Sequence, residues 1–197
     1  MRAQQDLQFH SFDGQPLFYR HWSASGLAPT RRAVVLLHRG HEHSGRVAHL
    51  ADELDLPDTD VFAWDARGNG QSPGERGDAP GFEALVRDLD SFIAHIGQQH
   101  GIAVQDIAII AQSVGAVVAA TWVHDYAPPL RALVLASPAF KVKLYVPLAV
   151  PGLKLMQKLR GNFFVNSYVK PQWLTHDPER VESYRTDPLI TRPISVR

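Results

Sequence analysis

A serine with a small residue two positions before it and two positions after it gives the sequence its clearest chemical signal. The segment Ala111-Gln112-Ser113-Val114-Gly115 lies where an apolar run gives way to an Ala- and Val-rich stretch. A serine hydroxyl becomes a nucleophile when it is exposed and held against a base, and a sharp strand–turn–helix presents it in this way. The helix that begins at Val114 also directs its N–H groups and its positive dipole end at a developing oxyanion. We therefore predict that Ser113 attacks an acyl carbonyl; the alternative is an ordinary helix-capping serine.

A second candidate region is rich in histidine and follows the apolar run Ala33–Leu37. Its sequence is His38-Arg39-Gly40-His41-Glu42-His43-Ser44-Gly45-Arg46. Acyl transfer requires a second backbone N–H donor opposite the nucleophile, and a loop after this strand normally supplies it. The imidazoles also suggest a metal site, and His49 lies close by. No spacing here matches a known zinc signature, since Glu42 is not placed as in H-E-x-x-H, so we assign no metal and no other cofactor.

Buried strands must position these two loops. Ala33–Leu37 is an apolar run without alternation, which is typical of a strand covered on both faces of a parallel sheet. We predict further buried strands at 60–64, 106–111 and 130–136, and an N-terminal hairpin of 7–10 with 17–22 around Asp13-Gly14. Helices are predicted at 44–54, 82–98 and 114–124, and a polar, Gly-rich loop at 65–78. Strand and helix alternate from residue 33 to residue 137, so the predicted fold class is α/β, a mostly parallel sheet with helices on both faces.

The composition excludes several classes of protein. The chain has 197 residues, 20 basic and 20 acidic side chains, 45% apolar residues and no cysteine. This length and apolar content suit one folded domain, and zero net charge gives no overall attraction to nucleic acid. Without cysteine there is no disulfide, no thiolate metal site and no cysteine nucleophile. The polar N-terminus is not a signal peptide and no apolar run reaches the length of a membrane helix, so we expect a cytoplasmic protein.

The segment from Tyr126 to His176 differs in character from the rest of the chain. It contains no Asp or Glu but seven basic residues, and it is rich in Leu, Val and Phe. After Pro138 we therefore predict a helical cap inserted into the core rather than another strand–helix unit. Two interpretations are open: a solvated helical face, or a basic amphipathic cap that makes peripheral contact with a membrane or another anionic surface.

Several motifs together make the sequence similar to a known family. They are His41-Glu42-His43-Ser44-Gly45-Arg46, the loop Asp65–Gly77, the Ser113 elbow and the segment Tyr184–Ile190. In this order they resemble the monoacylglycerol lipase and lysophospholipase group of α/β-hydrolases, of the serine aminopeptidase S33 type. The resemblance implies an α/β-hydrolase fold, with a core at 1–137, a cap at 138–190 and a return to the core at 191–197.

The resemblance also implies roles for individual residues. Ser113 matches the nucleophile, and the N–H groups of Val114 and Gly40 match the two oxyanion donors. The family's motif continues into a loop that shapes the fold, so we interpret the matching residues as structural: Asp65, Arg67 and Gly68.

The chain departs from the family at Arg39, where the group has glycine. An arginine takes φ > 0 only with strain, so the oxyanion loop is expected to follow a different path here. Arg39 then either reaches toward an anionic group of the substrate or points to solvent. We treat it, together with His41, as a candidate substrate-binding residue.

The acid and the base of a catalytic triad are not apparent in the sequence. In α/β-hydrolases the order is Ser, then Asp or Glu, then His, and in this family both partners follow strands beyond the cap. We expect them beyond Arg197 and assign neither role to His124, His176, Asp177 or Asp187. The chain is thus expected to be the N-terminal part of a longer hydrolase, with an apolar sheet edge that favours self-association.

The leading functional hypothesis is a serine hydrolase of acyl esters. The apolar and basic cap favours lysophospholipids or monoacylglycerols over small soluble esters, and an incomplete triad would leave the chain inactive as given. One alternative is a non-catalytic domain that binds a lipid or a protein partner; another, ranked last, is a metalloenzyme built on the histidines. The variant His38-Arg39-Gly40-His41 further resembles bacterial hydrolase domains that are sometimes fused to a methyltransferase, which implies such a fusion in a longer chain.

Overall fold

The computed structural model describes residues 2–26, 31–141, 149–166 and 169–196. The strands in these residues are β1 (Gln4–His10), β2 (Pro16–Trp22), β3 (Arg32–Leu37), β4 (Thr59–Trp64), β5 (Ile107–Gln112), β6 (Ala132–Ala136), β7 (Phe164–Asn166) and β8 (Pro193–Ser195). The α-helices are α1 (Leu50–Glu53), α2 (Phe82–His100), α3 (Val114–Tyr126), α4 (Ala149–Arg160) and α5 (Pro178–Thr186).

Six of the strands form one sheet in the order β1-β2-β4-β3-β5-β6. β3 pairs in parallel with β4 and β5, and β5 with β6, whereas β1 and β2 run antiparallel at one side. The predicted α/β architecture and the N-terminal hairpin are confirmed. Because the parallel strands end at the same edge of the sheet, the loops after β3, β4 and β5 emerge side by side.

Both faces of the central strands are covered, which explains their continuous apolar runs. Alternate residues of β3 point to opposite faces. Val35 and Leu37 pack into the core under α2 and α3, whereas Val34 and Leu36 pack against Ala51 of α1. The predicted helix at 82–98 is present and extends to His100, where Gly101 ends it with φ 66°.

The predicted continuous helix at 44–54 is wrong. The chain forms a single 3₁₀ turn at Ser44–Arg46 and then the four-residue helix α1. The side chain of His43 accepts a hydrogen bond from the Gly45 N–H, and Asp65 accepts one from the Ser44 N–H at 2.6 Å. These side-chain acceptors compete with backbone carbonyls for the first N–H groups, so a continuous α-helix does not form here.

The second half of the chain is more exposed than the first. β6 forms the last strand of the sheet in the described residues, and Val134 on it is 50% exposed. Beyond it, β7 and β8 pair antiparallel, so the middle of the predicted cap lies against the segment that follows the cap. The stretch 142–148, with part of the predicted basic segment, lies outside the described residues. In the described ranges, no helix combines the length and hydropathy that crossing a bilayer requires.

Candidate active site

Ser113 occupies a sharp turn between β5 and α3. Its φ of 54° and ψ of −114° form a conformation that non-glycine residues rarely adopt. The turn is held by the Ser113 N–H, which donates to the Ala136 carbonyl at 2.9 Å, and by the Ala139 N–H, which donates to the Ser113 carbonyl at 3.3 Å. The Ser113 side chain makes no capping hydrogen bond to α3, so the helix-cap interpretation is wrong.

Small residues on both sides of Ser113 make this turn sterically feasible. Ala111, where the usual motif has glycine, is completely buried in β5 and is accommodated there. At Gly115, in contrast, an added Cβ would lie 2.5 Å from the carbonyl oxygen of His38. Gly115 therefore lets the first turn of α3 approach the end of β3, and this approach brings Ser113 next to the histidine-rich loop.

The backbone N–H groups predicted to stabilise an oxyanion lie on adjoining loops. A Cβ added to Gly40 would lie 3.2 Å from Cγ2 of Val114. Val114 is the first residue of α3, where the helix offers its N–H no acceptor. Among the described residues, the N–H of Gly40 makes no backbone hydrogen bond. In the described part of the chain, both N–H groups are therefore donors without a backbone acceptor beside Ser113.

The oxyanion loop takes its positive φ at His41 and not at Arg39. Arg39 is not among the described non-glycine residues with positive φ, whereas His41, two residues later, has φ 72°. Arg39 therefore takes no strained φ, and the left-handed position of this loop is His41. The carbonyl of His41 accepts a hydrogen bond from the Thr191 N–H at 3.0 Å, which holds the loop against the segment that follows the cap.

His38 joins the loops that follow β3 and β4. The Ala66 N–H donates to its Nε2 at 3.0 Å, so its Nδ1–H donates to the carbonyl of Arg39 at 2.7 Å. Burial lowers the pKa of His38, which favours this neutral form. His38 thus has a structural role, and both of its nitrogens are used.

The residues matched to the fold-shaping loop are structural as predicted. Asp65 is fully buried and accepts hydrogen bonds from the N–H groups of Ser44 and Gln71, at 2.6 and 2.7 Å. Arg67 binds Asp88 through two of its nitrogens. Gly68 has φ 69°, and an added Cβ would lie 2.5 Å from a backbone carbonyl oxygen.

The pairing of His43 with Asp187 fastens the oxyanion loop to the end of α5. His43 Nε2 donates to Asp187 Oδ2 at 2.9 Å, and its Nδ1 accepts from the Gly45 N–H. Burial acts to raise the pKa of Asp187, but the hydrogen bonds from His43 and from the Leu189 N–H outweigh it, so the pKa is lowered. Asp177 instead caps the start of α5. Asp187 thus holds the loop to α5 and Asp177 begins that helix, and neither is assigned as a triad acid.

Arg39 belongs to a cluster of charged and aromatic side chains. Its guanidinium donates to Glu42 at 2.6 Å and lies 5.8 Å from the centre of the Tyr184 ring. Arg46 lies at the same distance from that ring and 3.8 Å from Glu42. The Arg39 side chain is 20% exposed, so it does not simply point to solvent.

The predicted site residues surround one cavity of about 420 Å³. All five line it: Arg39, Gly40, His41, Ser113 and Val114. Sequence reasoning did not identify the other lining residues, which are mostly apolar and in part from the cap: Gln112, Ser137, Ala139, Val169, Trp173, Leu174, Tyr184 and Ile194. Two of them stand in segments that the sequence analysis quoted: Gln112 in the elbow, and Tyr184 at the start of a motif that resembles the family.

The histidines proposed as an alternative metal site are not arranged as ligands. His38 and His43 use both ring nitrogens in protein hydrogen bonds, and His49 lies 4.0 Å from Glu53 at the surface. In the part of the chain that the structure describes, no three histidines or carboxylates are grouped so that they could hold a metal ion.

Comparisons with known proteins agree with this geometry. A family model described as serine aminopeptidase S33 matches residues 28–197. The uncharacterized protein YnbC of Escherichia coli K12 is 57% identical over 189 residues, which are 95% of this chain and 32% of YnbC. Monoglyceride lipase of Rattus norvegicus is 30% identical over 184 residues, which are 90% of this chain and 58% of that protein.

A solved structure shares the fold. The monoacylglycerol lipase of Paleococcus ferrophilus superposes with a TM-score of 0.74, over 91% of this chain and 65% of that chain, at 24% sequence identity. The present chain therefore spans about a third of YnbC and less than two thirds of either lipase.

Proposed function

Because the chain belongs to the serine aminopeptidase S33 family of α/β-hydrolases, we propose that it cleaves carboxylic esters of fatty acids with Ser113 as the nucleophile. Family and fold agree with the resemblance seen in the motifs. The observation that carries the proposal is the turn at Ser113. The strained backbone of this turn places the Ser113 hydroxyl, which makes no capping hydrogen bond, at a largely apolar cavity. In the described residues, the N–H groups of Gly40 and Val114 lie beside it without a backbone acceptor.

In this proposal the Ser113 oxygen attacks the ester carbonyl carbon while a base accepts the hydroxyl proton. The carbonyl oxygen becomes an oxyanion, and the N–H groups of Gly40 and Val114 donate hydrogen bonds to it. Collapse of this intermediate breaks the bond to the alcohol, which leaves with the proton. Water then attacks the acyl-serine and releases the fatty acid, restoring the Ser113 hydroxyl.

The substrates that best suit the cavity are monoacylglycerol- or lysophospholipid-like esters. Apolar side chains of the cap, among them Trp173 and Leu174, line the cavity with Ser113. An acyl chain buries its apolar surface against such side chains, whereas a small soluble ester would leave the cavity largely unfilled. The relatives named as monoglyceride and monoacylglycerol lipases support the same class of substrate.

The proposed reaction needs a base that accepts the Ser113 proton. In the described ranges His38 and His43 are used in other hydrogen bonds, which leaves His41 as the imidazole that lines the cavity with Ser113. Burial lowers the pKa of His41, so it is neutral near pH 7 and has a nitrogen that can accept a proton. His41→Gln therefore tests whether any reactivity of this chain depends on an internal imidazole.

The direct test is labelling with a fluorophosphonate, followed by mass spectrometry of the digested protein. We expect one adduct, on Ser113, that is absent in Ser113→Ala and retained in Ser137→Ala. Ser137 lines the same cavity and also has positive φ, so it controls for a serine that is merely accessible. An adduct on Ser137 in place of Ser113 would refute the assignment of the nucleophile.

The second candidate function is a non-catalytic lipid-binding domain. It is favoured by one observation: among the described residues, no histidine donates to or accepts from the Ser113 hydroxyl. A folded chain that binds a fatty acyl analogue but gives no Ser113 adduct supports this candidate. Turnover of a long-chain ester that is lost in Ser113→Ala excludes it.

A further inference from the structure

A second cleft, of about 310 Å³, adjoins the cavity at Ser113. The two share part of their walls, since three residues line both of them: Arg39, Gln112 and Leu174. Gln112 directly precedes Ser113, so the shared wall is next to the proposed nucleophile. An ester whose acyl chain fills the apolar cavity has only its alcohol portion left to extend into the second cleft.

The cleft differs from the acyl cavity in charge. Arg39, Arg46 and Arg180 line it together with one carboxylate, that of Glu42. Three guanidinium groups against one carboxylate leave an excess of two positive charges. Arginine presents several N–H donors in a planar fork that matches phosphate oxygens, so this excess favours an anionic ligand.

The arginines retain donors that the protein does not use. Nε of Arg39 is buried and has no hydrogen-bond partner in the described residues. Arg39 uses Nη2 for Glu42, and Arg46 uses Nη1 for the Ser183 hydroxyl. Arg180 of α5 is exposed and lines the cleft, and in the described residues its side chain forms no ion pair. A buried donor without a partner costs free energy, which a ligand that accepts its hydrogen bond recovers.

We propose that this cleft binds a phosphate group carried by the alcohol portion of the substrate, and that Arg39 thereby selects phosphate-bearing monoacyl esters over neutral monoacylglycerols. The inference rests on the proposed ester hydrolysis and narrows its substrate class. Arg39 is here a specificity-determining residue. It stands where the family resemblance implies glycine, so this selection is a property of the present sequence.

A smaller basic cleft lies on the other side of Tyr184 and provides an internal comparison. It has a volume of about 180 Å³, and Lys170, Arg185 and Arg192 line it. It shares His41, Val169 and Tyr184 with the acyl cavity but does not include Arg39 or Gln112. Unlike the larger cleft, it is lined by no residue of the 111–115 turn, and the experiment separates the two.

The test is a calorimetric titration of the 197-residue chain with two ether analogues, octylglycerol phosphate and octylglycerol, below their critical micelle concentrations. An ether cannot be hydrolysed, so the result does not depend on an active nucleophile. We expect the phosphate analogue to bind roughly tenfold more tightly, as for charge-assisted hydrogen bonds. Equal affinity for the two analogues would overturn the inference and leave the proposed hydrolysis untouched.

Variants then locate the phosphate. Arg180→Ala should weaken binding of octylglycerol phosphate about fivefold and leave octylglycerol unchanged. Arg39 also lines the acyl cavity, so Arg39→Ala should weaken octylglycerol phosphate by more than it weakens octylglycerol. Arg131→Ala, an exposed arginine remote from both clefts, is the matched control. Arg180→Ala removes only an exposed side chain, so it keeps the test valid if Arg39→Ala folds poorly. A loss in Arg192→Ala without a loss in Arg180→Ala would place the phosphate in the smaller cleft and refute the proposal.

Two further measurements sharpen the result. Glu42→Gln removes the carboxylate that competes for Arg39, so octylglycerol phosphate should bind more tightly, an effect that misfolding does not produce. Inorganic phosphate should displace octylglycerol phosphate only at much higher concentration. If inorganic phosphate bound as tightly as the octyl analogue, the cleft would be a site for free phosphate and the substrate assignment would be wrong.

Discussion

Two arginines at the same edge of the sheet differ in how far the protein satisfies their hydrogen-bond donors. Arg67 follows β4 and Arg39 follows β3, so both begin from neighbouring parallel strands. The Arg67 side chain is 3% exposed and its nitrogens bind Asp88, Asp13 and Gln15. The Arg39 side chain is 20% exposed. Among the described residues it binds one carboxylate, that of Glu42, and its buried Nε has no partner.

The difference shows how one chemical group serves structure in one loop and recognition in the next. Around Arg67 the donors and acceptors match, and hydrogen bonds from its guanidinium to Asp88 raise its pKa. That network ties the N-terminal hairpin to the 65–78 loop and α2. Around Arg39 the donors exceed the acceptors, and the excess faces two cavities. Charge at the first arginine is fully compensated, whereas charge at the second is available to a ligand.

The largest effect should follow from breaking the compensated network. Asp88 is fully buried and binds both Arg67 and Ser11. Asp88→Ala leaves the Arg67 charge buried without its main partner, so we expect a loss of about 3–5 kcal/mol in the free energy of unfolding. Urea denaturation followed by circular dichroism measures it.

Two variants calibrate this loss. Glu83→Gln removes an exposed charge from the same helix and should cost no more than about 0.5 kcal/mol. Arg39→Ala should cost about 1 kcal/mol, since its pair with Glu42 is partly replaced by Arg46. If Asp88→Ala were no more destabilising than Arg39→Ala, the contrast between the two arginines would not hold.

Replacing a glycine by alanine should destabilise the protein more in the 65–78 loop than in the oxyanion loop. A Cβ at Gly70 would lie 2.1 Å from Asp65 Oδ2, and φ there is 51°. Asp65 is held by two N–H groups and cannot move away, so Gly70→Ala should cost about 2–3 kcal/mol. At Gly40 the nearest atom is the end of the exposed Val114 side chain, so Gly40→Ala should cost less than about 1 kcal/mol. Thermal unfolding of the two variants measures these losses in the free energy of unfolding. Equal losses for Gly70→Ala and Gly40→Ala would contradict a rigid 65–78 loop.

The sheet was predictable because burial on both faces leaves a strong trace in the sequence. The runs of β3, β4 and β5 are apolar without alternation, and glycine and polar residues mark the loops between them. The short turns after His43 were not predictable. Their path depends on side-chain acceptors such as Asp65, which lies about twenty residues away in the sequence.

The site was predictable only where a motif fixes the backbone. The turn at Ser113 and the loop at Gly40 follow strand ends, so their approach could be inferred from a parallel sheet. The pairing of His43 with Asp187 joins residues separated by 144 positions. No local pattern indicates such a contact, nor the arginines that α5 and the oxyanion loop bring to one cleft. The positive φ of His41 had no signal in the sequence either.

The smallest effect concerns His38, the residue that connects the two loops. Its neutral ring accepts from the Ala66 N–H of one loop and donates to the Arg39 carbonyl of the other. Because burial lowers the pKa of His38 below its ordinary 6.5, the unfolded chain binds the proton more readily than the folded chain. Stability is therefore full above pH 6.5 and declines as the pH falls below that value.

Other histidines also make the protein less stable at low pH. Burial lowers the pKa of His41, His95 and His100, that of His100 to about 4. The comparison is therefore between the stability curves of the wild type and His38→Gln from pH 8 to pH 5. The variant loses one buried hydrogen bond, about 1 kcal/mol at pH 8. Its curve should be flatter on acidification, and the difference should shrink as the pH falls. His124→Gln, which replaces an 87% exposed side chain, is the control. Parallel curves would show that protonation of His38 does not separate the two loops.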